Sequence, residues 1–139
     1  DLKGHLYGAI IASIREYRTT TIKGKYAEYH LAFCAHYVGD LSQPLHNTLY
    51  NSYNRRNHTA TDGIINDEVL DNLSKFEVYT IEIQSEADLA KEIARIANLS
   101  MKLGYQLGKE DRMLSKQEAY GQISHSASLL KGILNWLGK

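Results

Sequence analysis

A single proline, Pro44, interrupts 139 residues. Proline ends helices because it lacks the amide donor and disfavours helix in the residue before it. Most of the ten glycines fall where elements would end or turn. So few breakers leave room for long helices, and the apolar residues recur at helical spacing. Leu2, Leu6, Ile10, Ile14 and Tyr17 predict a helix over 2–18, followed by a polar turn from Thr19 to Lys25. A second helix runs from Tyr26 to about Leu41, with Ala27, Leu31, Cys34, Val38 and Leu41 on one face and Pro44 as its stop.

The next stretch is less regular. Residues 46–57 are polar and rich in asparagine, and read as the longest loop, with Asn57 capping a short helix that carries His58 and Asp62. Ser74 and Glu77 have capping-box spacing, but Val78 to Ile83 alternates, so this part reads as a loop or short extended segment. Ser85 opens a long helix through about Leu107, with Leu89, Ile93, Ile96, Leu99 and Leu103 inward. Ser115 and Glu118 form another capping box, and the last helix runs to Leu137, burying Ile123, Leu130, Leu134 and Trp136. The expectation is an all-α, single-domain helical bundle of four or five helices spanning residues 1–139.

Composition narrows the function classes. Apolar residues make up 43%, which supports a packed core. Sixteen basic and sixteen acidic residues leave no broad positive field for nonspecific binding of nucleic acid or anionic membranes. No apolar run approaches the roughly 20 residues of a membrane span, and no signal peptide is visible. The single cysteine, Cys34, excludes an internal disulfide and reads as a buried small residue.

The segment that carries chemistry is His36-Tyr-Val-Gly-Asp40-Leu-Ser-Gln-Pro-Leu-His46. Residues four apart share a helix face, so His36 and Asp40 can share a metal ion. Pro44 turns the chain and can return His46 to the same place. Twelve residues later His58 and Asp62 repeat the i, i+4 pair. Imidazole nitrogen and carboxylate oxygen are ligands that zinc accepts, and five such groups exceed one tetrahedral site.

HYVGDLSQPLH resembles the signature of the zinc-dependent phospholipase C and single-strand-specific nuclease superfamily. The pattern is His, three residues, Asp, then Gln-Pro-Leu or Gln-Pro-Met, then His, with a His-x-x-x-Glu or His-x-x-x-Asp pair downstream. The close resemblance covers residues 36–62. It implies an all-α fold and a cluster of two or three zinc ions that hydrolyses phosphate esters with a zinc-held hydroxide. His36 would bind one zinc, Asp40 would bridge it to another, and His46, His58 and Asp62 would hold a further one. The family also takes ligands upstream. Here His5 is the candidate, with Asp1 and its amino group behind it, and the front is much shorter than the family's.

The resemblance implies a phosphate-ester substrate. The short interval from His46 to His58 favours a phospholipid, with peripheral membrane contact, whereas an Asp at position 62 is the nuclease choice. Lost catalysis in a zinc-binding domain is the alternative from another class. Export from the cell is implied by resemblance alone. Among the remaining residues, His30 reads as a surface histidine and His125 as a core histidine bonded to a backbone carbonyl. Tyr37, Tyr50 and Tyr53 read as pocket-shaping or packing aromatics, and Arg55 and Arg56 as solvated loop cations within reach of a substrate phosphate.

Overall fold

The computed structural model describes residues 5–20 and 25–139, and the side chains of all of these but His5 and Lys25. Five α-helices appear among them: α1 (His5–Thr19), α2 (Lys25–Leu41), α3 (Ser52–Asp62), α4 (Glu86–Glu110) and α5 (Lys116–Leu137). Short 3-10 segments span Pro44–Asn47 and Val69–Lys75. No strand is present among the described residues. The fold is therefore the expected all-α bundle.

Four helices share the larger core. Ile10 and Ile14 of α1, Val38 and Leu41 of α2, Leu89, Ile93 and Ile96 of α4, and Leu129 and Ile133 of α5 pack together, all at most 3% exposed. Burying each of these large aliphatic side chains stabilises the fold by about 1.5–3 kcal/mol. Leu99, expected inward, is instead 38% exposed, and Leu103 is only partly buried. Trp136 is also only partly buried, with the Arg18 guanidinium 3.6 Å from its ring centroid.

A smaller cluster lies beside the first: Leu45, Tyr53, Ile65, Leu107, Leu114, Ala119 and Tyr120. It seats the irregular middle of the chain. Gly104 on α4 makes that contact close, since a Cβ there would lie 2.6 Å from Thr48 Cγ2 and 2.7 Å from the Pro44 carbonyl oxygen.

The termini follow their local chemistry. Ser85 accepts from the Asp88 amide to cap α4, and Ser115 with Glu118 forms the expected capping box of α5. α4 runs three residues past its expected end and stops at Asp111, which takes the left-handed conformation (φ 47°) that a short polar side chain tolerates. The middle required a correction. Residues 46–57 are not one long loop, because α3 begins at Ser52 and its cap is Asn51, whose side chain accepts from the Asn54 amide. Asn57 falls inside this helix instead of capping it, and the helix's low apolar content leaves its periodicity without a hydrophobic signal. Residues 76–83 carry neither helix nor strand, in keeping with the loop or short extended segment expected there.

Candidate metal centre

The end of α2, the 3-10 turn after it, and α3 bring five titratable side chains to one place. The turn begins at Pro44, whose missing amide costs nothing at a first helical position. Asn47 fixes the turn by donating to the carbonyls of Leu41 (2.9 Å) and Gln43 (2.8 Å), and it accepts from the Tyr7 hydroxyl of α1 (2.8 Å). The free carbonyls at the end of α2 are met from outside. Ser126 donates to the Val38 carbonyl, and Gln122 donates to that of Ser42 (2.9 Å). The platform that presents Asp40 and His46 is thus tied to α1 and α5.

His46 is the hinge of the group. Its Nε2 lies 3.2 Å from Asp62 Oδ2, and its Nδ1 lies 3.9 Å from Asp40 Oδ1. His58 Nε2 lies 3.3 Å from the same Asp62 oxygen, and the two imidazoles stack with centroids 4.7 Å apart. His36 Nε2 is 3.4 Å from Asp40 Oδ2. The order in space is therefore His36, Asp40, His46, Asp62, His58. His46, His58 and Asp62 form the tight part, with one ligand atom from each within 4.8 Å of the others, close enough to hold one metal ion. Asp40 and His36 flank it, and His36 is the outlier, with its side chain 67% exposed.

Two features of the donor set fit a cation. Asn54 is 1% exposed, and its amide nitrogen donates to the Leu45 carbonyl (2.7 Å) and Thr48 Oγ1 (3.1 Å). That orientation turns its oxygen to His58 Nδ1 at 2.9 Å, so Nδ1 carries the hydrogen. The Nε2 of a neutral His58 then points a lone pair at a carboxylate, a repulsive contact unless a proton or a metal ion lies between them. The distances of 3.2 and 3.3 Å also match the edge of a tetrahedron with zinc–ligand bonds of about 2.0 Å, an edge of roughly 3.3 Å. In addition, Asp62 Oδ1 is buried without a hydrogen-bond partner among the described residues. Such an atom costs about 1–3 kcal/mol, and since the two imidazoles face Oδ2, only ligation through both carboxylate oxygens would offset it.

Aromatic rings border the group. Tyr50, 69% exposed, meets His58 edge-on at 6.4 Å, and Tyr37 lies 5.7 Å from His36 with Phe33 stacked on it at 6.3 Å. Tyr53, by contrast, is core, with its hydroxyl donating to the Arg112 carbonyl (2.6 Å). Arg56 pairs with Asp111 at 3.3 Å, Arg55 is exposed, and His30 does not join the group. Asp1 and the side chain of His5 lie outside the described residues. Cys34 is buried as expected, and burial pushes its thiol up to about 11, which keeps it protonated.

Asn54 is the residue that sequence reasoning missed. The available signal was its position four residues before His58, the spacing at which an amide can hold an imidazole on a helix. Compared with known proteins, the chain matches no family model, no curated protein and no solved structure.

Proposed function

We propose that this chain is a zinc-dependent phosphoesterase of the phospholipase C kind, built on His36, Asp40, His46, His58 and Asp62. The observation that carries the reading is the convergence of His46, His58 and Asp62 within 4.8 Å, with Asp40 beside them. Zinc bound there would act as a Lewis acid on a phosphoryl oxygen and lower the pKa of water to around 7.

The chain's own residues divide the remaining work. Asn54 holds the His58 ring so that Nε2 faces inward. Asp62 would supply the negative charge that holds a divalent ion against the two imidazoles. Asp40 reaches toward His36 on one side and His46 on the other, and would be the residue shared between two metal ions. The resemblance of the sequence signature supports phosphate esters as substrates and a phospholipid head group in particular. A single-strand nuclease is the second reading. Tyr50 against His58 and the exposed Phe33, stacked on the partly buried Tyr37, favour it, because aromatic faces beside a phosphate site can stack bases.

The test is to load the purified protein with zinc and follow hydrolysis of bis(4-nitrophenyl) phosphate, phosphatidylcholine vesicles and single-stranded DNA. The reading predicts zinc-dependent release of phosphocholine from vesicles, abolished in His46→Ala. Cleavage of DNA alone selects the second reading. Tight zinc uptake with no turnover of any of the three refutes both and leaves a zinc-binding domain.

A further inference from the structure

A second group of reactive side chains lies outside the five-residue group. The non-helical residues 76–83 run beside α5, held by the Glu77 and Tyr79 amides, which donate to Ser124 Oγ and Ser128 Oγ at 3.0 Å each. A cavity of about 750 Å³ opens here, lined by Val78, Tyr79, Tyr120, Gly121 and His125 among others. Tyr79 is 37% exposed at this cavity, and its hydroxyl sits between two partners. Arg95 Nη2 of α4 is 2.8 Å away and His125 Nδ1 of α5 is 2.6 Å away.

The roles follow from donor chemistry. A guanidinium only donates, so the Tyr79 oxygen accepts from Arg95, which leaves its own hydrogen free to be donated to His125 Nδ1. With the phenol donating, the imidazole accepts at Nδ1 and carries its own hydrogen on Nε2. His125 is thus bonded to a side-chain hydroxyl and half-buried, where the sequence suggested a core histidine on a backbone carbonyl. Burial first, and then the Arg95 charge, push the pKa of His125 below its ordinary value. Glu92 orients Arg95 by accepting from its Nε at 2.8 Å. The cations that line the cavity, Lys75 and Lys116, are already paired, since both contact Glu68, and Glu77 also belongs to the lining. Arg95 and His125 are thus the groups that act directly on the phenol.

We propose that Tyr79, His125 and Arg95 form a second reactive centre, in which the Tyr79 phenol is a nucleophile toward small acyl donors that enter the cavity. The phenolic oxygen bonds to the acyl carbon while its proton passes to His125 Nδ1. The bond from that carbon to the leaving group breaks, and the leaving group departs with the electron pair. Arg95 balances the negative charge that develops on the phenolic oxygen.

N-acetylimidazole tests this, since it acetylates tyrosines and releases imidazole. Rates at individual tyrosines are read by peptide mass spectrometry. Tyr79 is expected to react about tenfold or more faster than Tyr50, although Tyr50 is the more exposed, because a positioned base supplies about a hundredfold or more. His125→Gln and Arg95→Met should each bring Tyr79 down to the Tyr50 rate or below it while leaving Tyr50 unchanged, which also reports that the variants are folded. The wild-type rate at Tyr79 should level off with rising pH once His125 is neutral, whereas in His125→Gln it should climb with phenol ionisation. Equal rates at Tyr79 and Tyr50, or an unchanged Tyr79 rate in both variants, would overturn the proposal.

Discussion

Replacing Asn54 by alanine should weaken both the fold and the metal site, by separable amounts. The side chain is buried and makes good bonds to the Leu45 carbonyl (2.7 Å), to Thr48 Oγ1 (3.1 Å) and to His58 Nδ1 (2.9 Å). Losing it strands a buried carbonyl, a hydroxyl and a ring nitrogen, the last two only partly shielded. At about 1 kcal/mol per net bond, with a further penalty for the stranded carbonyl, the loss should be about 2–4 kcal/mol. Urea unfolding of the chelator-treated protein measures this without the metal. Zinc affinity should fall by about 10–100-fold, the usual effect of removing the partner that orients a ligand histidine. Asn54→Asp separates the two effects. A carboxylate still accepts from His58 Nδ1 but cannot donate to the Leu45 carbonyl, so stability should drop while zinc affinity is largely kept. An alanine variant that is destabilised yet binds zinc as the wild type does would refute the orienting role.

Gly104→Ala should cost about 1–3 kcal/mol in chemical denaturation, because the new methyl meets the rigid Pro44 carbonyl, and should lower zinc affinity by moving the turn that carries His46. Glu118 accepts from both terminal nitrogens of Arg112 (2.9 and 2.8 Å) and from the Ser115 amide (2.9 Å), which holds its carboxyl down at about 2. A depressed carboxylate stabilises the fold fully above its ordinary value near 4.5 and loses that contribution as pH falls toward 2. After allowance for solvent screening it is worth about 1–2 kcal/mol. Glu118→Gln should remove that part of the acid-induced loss, measured as the difference in unfolding free energy between pH 6 and pH 3. An unchanged pH dependence would contradict the assignment.

How far the sequence could be read varied with the kind of signal. The long helices were plain because their apolar stripes and serine caps act within a few residues of each other, as at Ser85 and at Ser115 with Glu118. α3 was hidden because only Tyr53, Asn54 and Thr61 of its eleven residues are buried, so hydrophobic spacing had little to report. Leu99 shows the opposite failure, since periodicity gives a helix face but not how wide a strip of it the neighbours cover. Within the site, the i, i+4 pairs His36–Asp40 and His58–Asp62 were legible from helix geometry. The contact between His46 and Asp62 depends on the path from Pro44 to Asn51, and no local rule fixes that path. Asn54 escaped notice because its role is to hold a neighbour rather than to bind anything itself. Tyr79, Arg95 and His125 come from three separate segments, so only the packing of residues 76–84 on α5 brings them together.

Anomalous diffraction at the zinc edge, from crystals of the zinc-loaded protein, addresses the metal centre most directly. A peak about 2.0–2.2 Å from His46 Nε2, His58 Nε2 and an Asp62 oxygen is the predicted result. Well-ordered imidazoles at residues 46 and 58 with no anomalous density between them and Asp62 would contradict it.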